Sequence, residues 1–188
     1  MRRCAHRMPE LTRRDAAALA LALPALARGA DARHEPKTFR YAFRVAETGF
    51  DPARISDLYS RTVTPHLFES LYTYDHLARP AKIRPLTASA LPAASDDWRT
   101  FTIRVQPGIF FADDPVWQGQ RRELTAQDYV YSLERFADPA TKSPAWSDLE
   151  QLTFVGLAEK RRRALAERRA YDYDEPVAGL RSLDRYTL

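Results

Sequence analysis
The chain has 188 residues, 45% of them hydrophobic and 29% charged, a composition that excludes both a disordered tail and a membrane bundle. Its formal charge of +4 at pH 7 would favour an anionic partner if the basic residues were spread along the chain. They are not, and the excess is concentrated at the start.

Arg2, Arg3, Arg7, Arg13 and Arg14 precede an uncharged run from Ala16 to Ala27, and Ala30-Asp31-Ala32 follows as a small-x-small cleavage site. This is the layout of a secretory signal peptide over residues 1–32, and Arg13-Arg14 directly before the apolar run suits either general or twin-arginine export. The run is too short for a helix that crosses a bilayer, which needs about 20 apolar residues. Cleavage after Ala32 removes six of 29 basic and three of 25 acidic residues, leaving 23 against 22. The mature chain is then nearly neutral. Cys4, the one cysteine, falls in the leader, so the remainder holds no disulfide, cysteine nucleophile or thiolate metal site.

Thr38 to Val45 places Phe39, Tyr41, Phe43 and Val45 on one side and Arg40 and Arg44 on the other, which predicts a half-buried strand. From Ser56 to Tyr72, apolar residues recur at helical spacing, and Pro65 predicts that the regular helix starts near it. Trp98 to Phe111 reads as a hairpin: Phe101, Ile103 and Val105 alternate with polar residues, Pro107-Gly108 suits a type II turn, and Ile109-Phe110 begin the return strand. Thr125 with Asp128 three residues on has the form of a capping box opening a helix that ends at Asp138-Pro139. A second helix is predicted from Gly156 to Arg169, and a strand begins at Asp184 to Leu188.

Signals for chemistry are weak. His34, His66 and His76 stand singly, at no zinc-ligand spacing, so no metal is expected. Asp96-Asp97 and Asp113-Asp114 fall at turns, where aspartate bonds its own backbone. Tyr171 to Glu175 alternates carboxylates without the glycine of a calcium loop, and six glycines leave no phosphate-cradling loop. Neither an enzyme nor a cofactor is indicated. Glu159 to Arg169 holds the densest basic cluster, and a nucleic-acid or anionic-surface function through Lys160 to Arg169 is the alternative from a different class. Leu157, Leu165 and the alanines give that helix an apolar stripe, which favours an ordinary surface helix with a solvated basic face.

Four blocks, Arg84 to Leu91, Ser95 to Val105, Gly108 to Asp113 and Leu124 to Arg135, closely resemble extracellular solute-binding proteins of family 5, the oligopeptide- and dipeptide-binding components of bacterial ABC importers. Phe50-Asp51-Pro52, Leu67 to Tyr72 and Asp138 to Pro144 look like further landmarks, in order from Phe39 to Leu188. The resemblance implies an α/β fold: an incomplete N-terminal lobe of a type II periplasmic-binding-protein-like fold, a mixed sheet with helices. Residues 33–68 would be the opening strand and helix of lobe I, and 69–188 its small inserted subdomain, truncated at the C-terminal end, with the second lobe absent. A frameshifted gene, a split gene and a cut chain would all produce such a sequence.

Function by resemblance is capture of a peptide or other small solute in the periplasm and delivery to ABC permease subunits in the inner membrane, with no nucleic acid and no cofactor involved. Ser56, Asp57 and Leu58 would face the ligand cleft, as would Ala145 and Trp146. Two departures stand out. Ala145 follows Ser143-Pro144 where relatives carry an aromatic directly, with Trp146 one later, and Asp114 with an insertion from Val116 to Glu123 replaces a common glycine.

Overall fold
A computed structural model describes residues 37–188; the leader, with its cleavage site, lies outside the described residues. The chain divides into two units, Met1–Ala42 and Phe43–Leu188. Of the first, Lys37 to Ala42 are described, and they carry no regular structure; the rings of Phe39 and Tyr41 stack at 6.5 Å.

The strand expected from Thr38 to Val45 does not form, and Phe39, Tyr41 and Val45 stand 86%, 66% and 64% exposed. Alternation selects which side chains share a face. Burial of that face is what makes a strand hold, and here it is mostly solvated, with Phe43 half-buried and its ring 5.0 Å from that of Tyr59.

In the second unit, helix α1 (Leu58–Val63) precedes Pro65 instead of starting at it. The reason is the cap: the Asp57 carboxylate accepts from the Ser60 N–H at 2.8 Å and opens the helix seven residues earlier than the proline would. Pro65 instead sits in a 3-10 turn, Thr64–His66. The segment from Leu67 on leaves the helix and leads into β1 (Tyr72–Asp75), which pairs antiparallel with β2 (Lys82–Pro85).

Next come β3 (Ala93–Ala94) and β4 (Phe101–Thr102), also antiparallel. Pro107-Gly108 makes the expected turn, with Gly108 at φ +82°, a value that glycine adopts without strain. The two arms do not pair with each other. Residues 101–106 run against 87–94 on one edge, through Ser89 N–H to Arg104 O at 2.8 Å, and against 186–188 on the other, through Ile103 and Leu188, which exchange bonds at 2.8 and 2.9 Å. The return arm pairs with 122–124 instead: Phe111 N–H reaches Arg122 O at 2.9 Å and Leu124 N–H reaches Ile109 O at 2.8 Å. The predicted hairpin is therefore a corner between two ladders, and the strand expected from Asp184 to Leu188 is instead a tight turn closed by Asp184 and Thr187, of which only 186–188 bond the 103–105 arm. All ladders among the described residues are antiparallel.

Helix α2 (Ala126–Ala137) opens at the predicted capping box, where the Asp128 carboxylate accepts from the Thr125 N–H at 2.7 Å and hydroxyl at 2.8 Å. It ends at Asp138, whose carboxylate caps the 3-10 turn Pro139–Thr141. The short α3 (Trp146–Glu150) and then α4 (Leu157–Glu167) follow, α4 within a residue or two of its predicted bounds. Val130 and Ala137 of α2 pack with Leu157 and Ala164 of α4 and with Tyr171, Val177 and Leu180 of the tail, with Trp146 and Leu149 against the edge. This cluster is the core. Gly179 closes it by close approach, since a Cβ there would overlap the backbone of Val155, whose carbonyl accepts from Gly179 N–H at 2.8 Å.

Candidate ligand site
Of the residues expected at the cleft, Asp57 is committed to the fold. Its two oxygens accept from the Ser60 N–H and the Thr48 hydroxyl, and the Ser60 hydroxyl first, then these two groups, hold its carboxyl well below the usual carboxylate range. It stays charged, with one bond taken at each oxygen. Ser60, fully buried beneath it, accepts from Thr48 N–H at 3.0 Å and so fixes the loop leading in. Ser56 and Leu58 point outward, Leu58 with 72% of its surface exposed.

Ala145 and Trp146 lie where the connection from α2 enters α3. Trp146 is half-buried, with part of its ring on the core cluster and the Arg161 guanidinium 5.0 Å from its centroid. No hydrogen bond or ring contact joins 56–58 to 145–146 among the described residues. Both segments are instead hung from α2. Arg135 forks onto the two oxygens of Asp51 at 3.0 and 2.6 Å, holding the loop before α1, while the end of α2 leads to Trp146. Burial acts against the Asp51 charge, yet the Arg135 bonds win and its carboxyl stays below its ordinary value.

A cavity of about 580 Å³ lies beside this scaffold, walled by Pro52, Phe68, Phe110, Phe111, Leu124 and Phe136. None of the five expected residues lines it. Several of its polar wall groups are already engaged, Arg135 with Asp51, Asp128 with Arg122, the Tyr129 hydroxyl with Thr87, and the Ser132 hydroxyl with the Asp128 carbonyl, while His66 and Glu69 also line it with no side-chain bond among the described residues. The cavity offers apolar contact and few free donors. Sequence reasoning missed it because its walls come from four separated segments, and only the aromatic pair Phe110-Phe111 hints at it.

The basic run divides: Arg162, Arg163, Arg168 and Arg169 form the solvated face expected of it, while Lys160 and Arg161 turn inward. Lys160 is buried, 3% exposed, and bonds Glu134 at 2.9 Å; Arg161 donates to the Ala137 carbonyl at 2.8 Å. Arg162 pairs with Glu159, Arg163 with Glu175, and Arg169 with Glu167 and Glu175. Four of its six cations thus face carboxylates, while Arg161 bonds a neutral carbonyl and Arg168 is exposed without an ion pair among the described residues. No group of three His, Cys, Asp or Glu side chains is arranged to hold a metal among the described residues, and no described helix is long and apolar enough to cross a membrane.

Among the described residues, small antiparallel ladders stand beside a helical core. The family model of bacterial extracellular solute-binding proteins, family 5 (middle region), matches residues 63–188, and the chain belongs to that family. It is 30% identical over 137 residues to Di/tripeptide-binding protein 2 of Pseudomonas aeruginosa, a match that takes in 67% of this chain and 23% of that protein. Among solved structures, the pheromone receptor PrgZ, described with its mode of peptide binding, superposes with a TM-score of 0.52 at 25% identity. The ABC transporter-associated periplasmic binding protein DppA of Helicobacter pylori, in complex with the peptide STSA, superposes with a TM-score of 0.53 at 21% identity and shares the fold. Each covers 75% of this chain, which spans 24% of either one. The structure is thus a partial region of the periplasmic peptide-binding-protein fold.

Proposed function
We propose that the chain serves as the substrate-binding component of a peptide-type ABC importer, taking up a peptide or related solute in the periplasm and handing it to the permease without chemistry of its own. The observation that carries this reading is the 30% identity to a di/tripeptide-binding protein across 67% of the chain. Residues 1–32 direct export and are removed. Residues 33–68 open lobe I and 69–188 form its small subdomain. Ser56, Leu58, Ala145 and Trp146 touch the solute, with Asp57 holding its segment in place.

The test is NMR titration of the labelled protein with a pool of di- and tripeptides, carried to millimolar concentration. The chain spans about a quarter of the length of its relatives, and a cleft site gains affinity by burying most of its ligand, so saturable but weak binding is expected, with shifts at Leu58 and Trp146. Absence of any peptide-dependent shift at these residues would overturn the reading.

A further inference from the structure
Arg161 touches both ends of the connection that delivers Trp146. Its guanidinium donates to the carbonyl of Ala137, the last residue of α2, and lies 5.0 Å from the indole centroid of Trp146, the first residue of α3. Between these points the chain makes two sharp changes of direction, a 3-10 turn at Pro139–Thr141 and a left-handed residue at Lys142, φ 52°. Asp138 secures the first through Ala140 N–H at 2.8 Å and the Tyr173 hydroxyl at 2.8 Å. The second has only longer, local contacts: Lys142 N–H to the Pro139 carbonyl at 3.2 Å, Ala145 N–H to the Ser143 hydroxyl at 3.3 Å and Trp146 N–H to the Ser143 carbonyl at 3.4 Å. The half of the connection nearer Trp146 is therefore the less firmly held, and Arg161 is the side chain that spans it from outside.

An arginine suits this place where a lysine would not. Its planar fork can point N–H groups at a helix-terminal carbonyl, where the helix dipole favours a cation, while its flat face lies against an aromatic ring. Lys160 and Leu157 hold α4 to the core, whereas Arg161 is only half-buried, so replacing it leaves the core cluster intact.

We infer that Arg161 is a positioning residue for the ligand: it fixes the Trp146 indole and the 142–145 segment, so that the ring meets the solute already oriented. This rests on the reading that Trp146 touches the solute. A ring left to find its orientation on binding loses affinity through the ordering cost.

The experiment uses the full chain with Trp98→Phe and Trp117→Phe, so that Trp146 gives the one indole N–H resonance. Arg161→Lys and Arg161→Ala are compared with Trp146→Ala. Expected results are a displaced or broadened indole signal in both Arg161 variants, an unchanged unfolding midpoint in Arg161→Lys, and peptide affinity about two- to tenfold weaker in each. An indole signal identical in Arg161→Ala and its parent would overturn the inference. So would full peptide affinity in Arg161→Lys while Trp146→Ala binds less tightly, an outcome that leaves Trp146 as a ligand residue. If Trp146→Ala itself binds peptide as well as its parent, both the ligand reading and this inference fail.

Discussion

Lys160 Nζ lies 2.9 Å from Glu134 Oε2, with only 3% of either side chain exposed. The ammonium also bonds the Glu175 carbonyl and sits 4.6 Å from the Tyr171 ring centroid, so one cation joins α2, α4 and the tail. Burial pushes the Glu134 carboxyl above its ordinary value even though Lys160 opposes the rise. Lys160→Met leaves that carboxylate buried without its partner and should cost about 3–5 kcal/mol by urea unfolding. Lys160→Met with Glu134→Leu should recover much of the loss, because the pair's attraction is set against the desolvation of both ions. A double variant as unstable as the single would show that shape, not charge, governs the contact.

Gly179 and Val155 give a second prediction, this one steric. A methyl at 179 meets backbone, which cannot rotate away as a side chain would. Gly179→Ala should destabilise by about 2 kcal/mol or more, while Gly49→Ala, whose nearest neighbour is Ile55 Cγ2 at 3.9 Å, should change little beyond its effect on chain freedom. Thermal unfolding of the two variants side by side decides this.

Glu123 predicts acid sensitivity at the corner. Its carboxylate takes the Arg185 guanidinium at 2.8 Å, the Gly108 N–H at 2.8 Å and the Tyr186 hydroxyl at 3.0 Å, tying the 107–108 turn to the closing segment. The Arg185 bond first, then the other two, lower its pKa from 4.5 to about 2. A carboxylate depressed in the folded state contributes stability above its unfolded pKa. Between about 4.5 and 2 the unfolded chain binds more protons, so this contribution falls as pH falls. The Gly108 amide and Tyr186 ring resonances should move together with a midpoint near pH 2, and Glu123→Gln should abolish the transition. A midpoint near pH 4.5 would show the cluster open in solution.

The basic helix separates local from non-local information. Its existence and bounds were legible, as was the capping box at Thr125 and Asp128, because helical period and capping act within a few residues. Which face it buries was not, since Lys160 finds its partner 26 residues away and Arg161 lies against a tryptophan of another helix. The hairpin failed for the same reason: alternation and Pro107-Gly108 set the turn, but the ladder partners come from 87–94, 122–124 and 186–188. The candidate site was legible only through resemblance, and Asp57 shows the limit of that route, because its cap bond is visible in three dimensions and not in a motif. Accordingly, Arg162→Gln, at the exposed pair with Glu159, should shift stability by less than about 0.5 kcal/mol, whereas Arg161→Gln should cost more through lost contact with Ala137 and Trp146.

Hydrogen exchange should divide the chain between its opening segment and its helical core. Amides from Thr38 to Val45 lie in no regular element, and the apolar side chains Phe39, Tyr41 and Val45 are mostly solvated, so opening there exposes little that was buried. In α2 the opposite holds. Its helical N–H groups lie over Ala126, Val130 and Ala137, each at most 4% exposed, and its charged residues Glu134 and Arg135 are bound to Lys160 and Asp51. Exposing those amides requires separating α2 from α4 and the tail, which is close to unfolding the core. Exchange across 38–45 should therefore be faster than in the middle of α2, which exchanges only through global opening, slowed by the full stability of the unit. Asp51→Ala, which frees Arg135, should raise exchange in 51–57 and leave the middle of α2 protected, because that ion pair is about one-third exposed and secures the loop more than the helix. Strong protection from Thr38 to Val45 in a monomer would show that the alternating row is paired as a strand in solution, and the exposed face assigned to it here would be wrong.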